Sequence, residues 1–283
     1  MNLPKEYLQT ICQQAIAEDV ATGDATTLAI VPPNLHTSAE FVNRQQCVCA
    51  GMPLLEILFK ELCSDLELDC LVEEGQLCEP GTVMAKVEGN ARAILTGERT
   101  ALNFLQRLCG IATLTRKYVL SLGESNCKVL DTRKTTPGMR LLEKYAVKMG
   151  GGQNHRIGLY DRIMIKDNHR ELAKLLGPDS ISLAVKACRE KYPEREIEVE
   201  ADNLDEVKAA AEAGVEYILL DNMSAQTMLE AIEIIAGRAK TEASGNITLQ
   251  RMPSLSRLGL DFVSIGALTH SAPAIDIGLD IKK

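Results

Sequence analysis

From about residue 128 the chain repeats one pattern, a short β-rich run followed by an amphipathic segment. The runs are KVLD ending at Asp131, RIMIK ending at Lys166, EIEVE ending at Glu200, YILLD ending at Asp221, KTEA ending at Ala243 and DFVSI ending at Ile265. The last four ends are spaced by 21, 22 and 22 residues, with segments such as NLDEVKAAAEAG and SAQTMLEAIEIIAGR between them. Strands alternating with helices of that length predict a parallel sheet. So steady a period favours closure into a (β/α) barrel over an open sheet.

In such barrels the C-terminal ends of the strands carry the chemistry. Each run ends in a polar or charged residue or a Gly/Ser turn, so Asp131, Arg133, Lys134, Lys166, Glu200, Asp221, Ser244 and Gly266 are expected to converge on one mouth. Polar residues often end single strands, but six ends carrying both cations and acids favour a shared site.

Upstream, residues 91 to 123 place apolar residues at helical spacing without proline, which predicts one or two long helices. Residues 1 to 90 mix a short helix, strand-like HTSAEFVN and CVCAG, and VEEGQLCEPGTVMAKVEG. The last resembles the hammerhead turns of biotinyl and lipoyl modules, without their lysine at the tip. The tail SAPAIDIGLDIKK alternates like a strand. The expected division is an N-terminal domain over 1–107, a barrel domain over 108–269 and a tail over 270–283 that returns to the first domain.

The chain has 31 Lys+Arg against 39 Asp+Glu, yet residues 131 to 170 hold nine cations and four acids. A basic island in an acidic protein suits a small anion better than a nucleic-acid backbone, which draws a basic face on a whole domain. The absence of Trp and the presence of only four Phe also speak against a base-stacking surface. Nine cysteines without CxxC pairs fit neither a disulfide framework nor a zinc ribbon, and read as small buried groups in a reducing compartment. With no signal-like start and no apolar run of membrane-spanning length, a cytoplasmic location is expected.

Within the island, Arg140, Lys144 and Lys148 are spaced four apart and read as a solvated helix face. Arg133, Lys134, Arg156 and Lys166 fit no such spacing. DTRKTTPG offers two cations and three hydroxyls after a strand, with a Pro-Gly turn to close the loop. Arginine matches a carboxylate or phosphate with a planar fork, and lysine adds a point charge. GGGQNHR, at 150 to 156, is expected to bring backbone close to a ligand. His155 and His169 lack the partner spacing of a transition-metal site, and a hydrogen-bonding His155 beside Arg156 is the preferred reading. Glu200 and Asp221 end neighbouring strands, where paired carboxylates can bind sugar hydroxyls or hold Mg²⁺ through water. Cations and carboxylates together describe a phosphorylated sugar as ligand.

Several stretches resemble the quinolinate phosphoribosyltransferase family: EDVATGDATT, GERTALNFLQRLCGIAT, the long block DTRKTTPGMRLLEKYAVKMGGGQNHRIGLYDRIMIKDNH, ILLDN, EASG and GALTHSAPAIDIGL. The resemblance implies an N-terminal α/β sandwich domain and an incomplete (β/α) barrel. It implies transfer of phosphoribosyl from 5-phosphoribosyl 1-diphosphate to quinolinate, with Mg²⁺, giving nicotinate mononucleotide, CO₂ and diphosphate in NAD biosynthesis. A homodimer or assembly of dimers is implied, with Arg99 reaching the partner's site. By the same resemblance Arg133, His155, Arg156 and Lys166 belong to the quinolinate pocket, Lys134 lies where it meets the diphosphate, and Thr132 is a further substrate-binding residue. Glu200 and Asp221 are on the ribose and metal side, and Ser244, Gly245 and Gly266 surround the 5-phosphate. Where the family reads EASGG, this chain has Asn246 for the second glycine. Two other readings stay open: a transferase of the same fold with another acceptor, and a non-catalytic anion sensor.

Overall fold

The computed structural model describes residues 3–177 and 179–282. In chain order its elements are α1 (Lys5–Val20), α2 (Ala25–Ile30), β1 (His36–Asn43), β2 (Cys47–Val48), α3 (Met52–Leu62), β3 (Glu67–Cys70), β4 (Leu77–Cys78), β5 (Val83–Asn90) and α4 (Ala91–Ser121). Then come β6 (Lys128–Leu130), α5 (Arg140–Met149), β7 (Ile163–Ile165), α6 (Asp167–Ala173), α7 (Ser180–Lys191), β8 (Ile197–Ala201), α8 (Leu204–Glu212), β9 (Tyr217–Asp221) and α9 (Ala225–Ile235). The chain closes with β10 (Lys240–Ser244), α10 (Met252–Leu255), β11 (Phe262–Ser264), α11 (Ala267–His270) and β12 (Ile277–Lys282). These elements form two compact units, one of Met1–Arg116, Thr136–Gly151 and Leu268–Lys283, the other of Lys117–Thr135 and Gly152–Ala267.

The first unit is built on an antiparallel sheet in the order β12-β1-β5-β3, so the C-terminal strand pairs with the first strand. Phe41 on β1 and Phe59 on α3 are fully buried, with ring centroids 5.9 Å apart. The start of α3 is held by the Glu74 carboxylate, which accepts from Gly51 N at 2.9 Å and Met52 N at 2.7 Å. A side-chain acceptor there satisfies amides that have no partner in the first turn. Residues 91 to 121 form one helix, α4, where the sequence allowed one or two. Its Gly110 is required by packing, since a Cβ there would lie 2.1 Å from the Pro273 carbonyl oxygen.

One sequence expectation fails in α5. Lys144 was read as solvated with Arg140 and Lys148, but it is fully buried. The apolar positions of α5 cover a wide stripe, and that stripe takes in Lys144 despite its regular spacing from its neighbours. In the turn after α5, Gly150 packs closely on α4. A Cβ on Gly150 would meet the Ala112 carbonyl oxygen at 2.4 Å and Thr115 Cβ at 2.6 Å.

The second unit is a six-stranded parallel sheet in the order β6-β11-β10-β9-β8-β7, with helices following its strands. The six runs read from sequence coincide with its six strands within one residue at either end. Strands β6 and β7 stand at the two ends of that order, joined to no ladder with each other, which makes the barrel incomplete. Alternate strand residues such as Val199, Ile218, Leu220, Ala243 and Val263 are buried. Helices α8 and α9 begin where the sequence signals a cap: Asn203 Oδ1 accepts from Glu206 N at 3.0 Å, and Ser224 Oγ from Thr227 N at 3.1 Å.

Candidate active site

A cavity of about 400 Å³ opens in the second unit where the parallel strands end. Thr132, Arg133 and Lys134 enter it from the loop after β6, and His155 and Arg156 from the loop before β7. Lys166, Glu200, Asp221 and Ser244 enter from the ends of β7 to β10. Below them, two residues earlier on the same strands, lie Met164, Leu219 and Glu242, with Ser264 from β11. Side chains two apart on a strand share a face, so one inward face supplies both levels. A second crevice of about 470 Å³ shares His155 and Arg156 with the cavity and is otherwise lined by Asn154, Ile157, Asp161, Arg162, Glu194, Arg195 and Glu196, beside the segments that precede β7 and β8. Within it Arg162 Nε stands 3.6 Å from Glu196, and Arg195 Nη1 donates to Asp161 O at 2.6 Å. Barrel chemistry belongs at the other strand ends.

The loops are positioned by Asp131, which is fully buried at the end of β6. Its Oδ1 accepts from His155 N at 2.9 Å and its Oδ2 from Asn154 Nδ2 at 2.6 Å. Gln153 N donates to Val129 O at 2.8 Å, so the QNHR stretch is stitched to β6. Asp131 therefore anchors the loop and does not line the cavity, contrary to its expected place at the mouth. In the neighbouring loop, Lys134 N donates to Thr132 Oγ1 at 3.1 Å and Thr135 N to Arg133 O at 2.9 Å, a hydroxyl-stabilised turn that presents the two cations.

The upper level mixes cations and carboxylates. Lys166 is ion-paired with Glu200. Asp221 Oδ2 accepts from Asn222 Nδ2 at 2.6 Å. The Arg133 Nε is buried without a hydrogen-bond partner in the protein. Arg156 Nη1 donates to Arg162 O at 3.0 Å, and burial followed by the charge of Arg133 pulls the Arg156 pKa down. Two guanidinium groups that oppose each other's charge, one with an orphaned donor, are arranged to receive an anion.

The lower level holds acids that sequence reading did not single out. His155 Nε2 is 3.0 Å from Glu198 Oε2 and 3.5 Å from Glu242 Oε2, and all three side chains are buried. Burial drives the His155 pKa down, but bonds and charges from both glutamates outweigh it and push it up to about 9. Burial opposes a charged Glu198, yet His155 and Arg162 hold its pKa below the usual carboxylate value. Burial and the charge of Glu198 push Glu242 up, and its other oxygen is bonded to Ser264 Oγ. His155, Glu198 and Glu242 are close enough to suggest a metal site. The Nδ1 of His155, however, already accepts from Arg156 N at 2.7 Å, and a ring whose pKa is pushed up to about 9 holds a proton at neutral pH that a metal would have to displace.

The chain matches two family profiles in sequence, the quinolinate phosphoribosyl transferase N-terminal domain over residues 24–109 and the C-terminal domain over 111–280. It is 39% identical to a probable nicotinate-nucleotide pyrophosphorylase (carboxylating) of Bacillus subtilis, over 97% of this chain and 93% of that protein. Identity is 40% with the chloroplastic nicotinate-nucleotide pyrophosphorylase (carboxylating) of Arabidopsis thaliana, over 98% of this chain and 84% of that one. The chain belongs to the quinolinate phosphoribosyltransferase family. Its fold agrees: the solved nicotinate-nucleotide pyrophosphorylase of Francisella tularensis superposes with a TM-score of 0.93 at 36% identity, covering 99% of this chain and 98% of that one. NadC of Streptococcus pyogenes gives 0.93 at 37%, covering 100% of both.

Of the residues that resemblance to this transferase family implied, Thr132, Arg133, Lys134, His155, Arg156, Lys166, Glu200, Asp221 and Ser244 share the cavity. Gly245 and Gly266 flank Ser244 and β11 in sequence and do not line it. Gly245 has φ of +89°, and a Cβ there would lie 2.1 Å from Asn222 Oδ1. Asn246 takes the left-handed φ of +50°, a conformation asparagine tolerates, so it serves where the family carries glycine. Arg99 lies exposed on α4 in the first unit. His169 caps α6, its Nδ1 accepting from Lys166 N at 3.0 Å. Arg170 pairs with Asp202 at 2.7 Å and with Glu206, outside the cavity. Glu198, Glu242 and Ser264 could have been found from strand alternation alone, because each stands two residues before an expected mouth position.

Proposed function

We propose that this chain transfers phosphoribosyl from 5-phosphoribosyl 1-diphosphate to quinolinate, releasing diphosphate and CO₂ and leaving nicotinate mononucleotide. The observation that carries this reading is the cavity's lining, which brings the cations Arg133, Lys134, Arg156 and Lys166 together with the carboxylates of Glu200 and Asp221. Two forks and a lysine suit a dicarboxylate better than a monocarboxylate. Held by them, quinolinate would aim its ring nitrogen at C1 of the ribose. As diphosphate departs, positive charge grows on the sugar, and Glu200 and Asp221 stabilise it electrostatically. Holding both reactants in line supplies much of the remaining acceleration. The new bond leaves the ring nitrogen cationic, the electrons of the breaking C–CO₂ bond flow toward it, and a proton from solvent completes the product. No general base is required.

Ser244, Gly245 and Gly266 are proposed to surround the 5-phosphate, with Lys134 at the diphosphate. Glu200 and Asp221 offer the hard oxygen donors that Mg²⁺ takes; since Lys166 already occupies Glu200, they would hold it through water. Bound there, Mg²⁺ would neutralise diphosphate charge. A cytoplasmic homodimer, with Arg99 completing the partner's site, is part of the same proposal. Among the described residues no helix is long and apolar enough to cross a membrane.

Purified protein given quinolinate, 5-phosphoribosyl 1-diphosphate and Mg²⁺ should release CO₂ and diphosphate in equal amounts. No release would refute the assignment. Diphosphate release with nicotinate at an equal rate would favour a transferase with another acceptor.

A further inference from the structure

Lys166 is placed by more than its strand. The β7–β8 ladder ends with Ile165 opposite Val199, and both backbone polar groups of Lys166 then turn to α6. Its N–H donates to His169 Nδ1 at 3.0 Å, and its carbonyl accepts from Arg170 N at 2.9 Å. The direction of the lysine therefore follows the seat of α6, a helix of seven residues. So short a helix is not stable by itself and takes its place from what it packs on. Its buried residues are Arg170 and Ala173. The Arg170 fork pairs with Asp202 Oδ2 at 2.7 Å, in the turn after β8, and with Glu206 in the first turn of α8. Asp202 N donates to the same Glu206 oxygen at 2.7 Å. Strand β8 is held by β9 as far as Ala201 opposite Leu220, so Arg170 seats α6 on a fixed turn.

Two sets of ion pairs thus join the same two strand ends. Lys166 with Glu200 faces the cavity, and Arg170 with Asp202 and Glu206 stands outside it. When substrates bind, Lys166 turns to the acceptor and Glu200 to the sugar, and their mutual pair is lost. The outer set is left to hold the strand ends together. Against an apolar side chain of similar size a buried ion pair is often neutral for stability, so stability does not account for Arg170.

We propose that Arg170 is a positioning residue for the acceptor: it fixes α6 on the turn between β8 and α8 and thereby fixes Lys166, while Glu200 keeps its place through β9. This rests on the proposed transferase function. Misplacing a clamp by an ångström costs about a hundredfold, so a residue that never touches the substrate acts on it through Lys166. The two substrates are affected unequally, because the lysine shifts and the glutamate does not.

The test uses the full-length chain as wild type, Arg170→Met, Arg170→Lys, Lys166→Met and the double variant Arg170→Met/Lys166→Met. Asp202 and Glu206 are open enough to solvent to hydrate without the arginine, so these variants should fold. In Arg170→Met, kcat/KM for quinolinate should fall about 10- to 100-fold, with the KM for 5-phosphoribosyl 1-diphosphate changed by less than about threefold. Arg170→Lys offers a single ammonium where a fork spans two carboxylates, and should fall between wild type and Arg170→Met. In the Lys166→Met background the loss of Arg170 should cost less than about twofold further, since residues that act through one another are not additive. Hydrogen exchange of residues 167–173, read by mass spectrometry without turnover, should be about tenfold faster in Arg170→Met and near wild type in Lys166→Met. The full loss persisting in the Lys166→Met background, equal changes for both substrates, or unaltered exchange in Arg170→Met would overturn the inference. An inactive wild type whose α6 loosens in Arg170→Met would count against the transferase reading alone. An active wild type with unaltered kinetics and exchange in Arg170→Met would count against the positioning role alone.

Discussion

Removing Arg133 should make the empty protein more stable and the acceptor complex weaker. The Arg133 Nε is buried with no hydrogen-bond partner, and its charge is the second cause, after burial, of the lowered Arg156 pKa. An unsatisfied buried donor costs about 1–3 kcal/mol. Arg133→Met keeps the apolar stem and removes both the orphaned donor and the repulsion, so a gain of about 1 kcal/mol is expected after the loss of solvation at the exposed part of the head. In a protein of this size that raises Tm by about 2–4 °C. With the acceptor the sign reverses. A hydrogen bond to a charged group contributes about 1.5–3 kcal/mol, which corresponds to roughly 10- to 150-fold in affinity. Thermal unfolding of the empty chain and calorimetric titration with quinolinate measure the two halves separately. A fall in Tm, or a quinolinate Kd within threefold of wild type, would refute the reasoning that Arg133 is held strained for a dicarboxylate.

If Arg99 completes a partner's site, mixing Arg99→Ala with Lys134→Ala chains should restore activity that neither has alone; verified mixed dimers without rescue would contradict it. Gly110→Ala should destabilise the fold by about 1–3 kcal/mol, read as a lowered urea midpoint, because its Cβ would collide with the Pro273 carbonyl at 2.1 Å. For Asp261, burial pushes the pKa up but bonds from Lys240 at 2.7 Å and Thr241 N at 2.9 Å outweigh it and hold the pKa below the usual value. A depressed carboxylate contributes stability above its unfolded pKa that disappears as pH falls through the folded one. Asp261→Asn should therefore lower stability at neutral pH and flatten the acid limb of the stability profile; an unchanged limb would count against it.

The barrel strands were legible because their signal is local: β-rich runs at a steady spacing, with capped helices after β8 and β9. Register and inward face came with them, which is why Lys166, Glu200, Asp221 and Ser244 meet in one cavity. Spacing could not tell which side of α5 is covered, since Lys144 is as regularly placed as its exposed neighbour Lys148. Nor could it name the partner of a glycine, and the close approach at Gly150 proved to be to α4. Asp131 was placed at the right strand end, but its role depends on loop residues 153 to 155 folding back over β6, a tertiary contact with no sequence period. The lower level of the cavity was overlooked for another reason. Glu198 and Glu242 sit in short strands that carry other polar residues, where an acid reads as solvent-facing until its histidine partner, more than forty residues from Glu198 and further still from Glu242 along the chain, is seen against it.

The dicarboxylate clamp is most directly tested by the ratio of kcat/KM for quinolinate to that for nicotinate under identical 5-phosphoribosyl 1-diphosphate and Mg²⁺. A site built to hydrogen-bond a group rejects the analogue that lacks it by roughly 10⁴- to 10⁵-fold, because its buried polar groups are then left unpaired. The account predicts a preference for quinolinate of at least about a thousandfold. Comparable values for the two acceptors would contradict it.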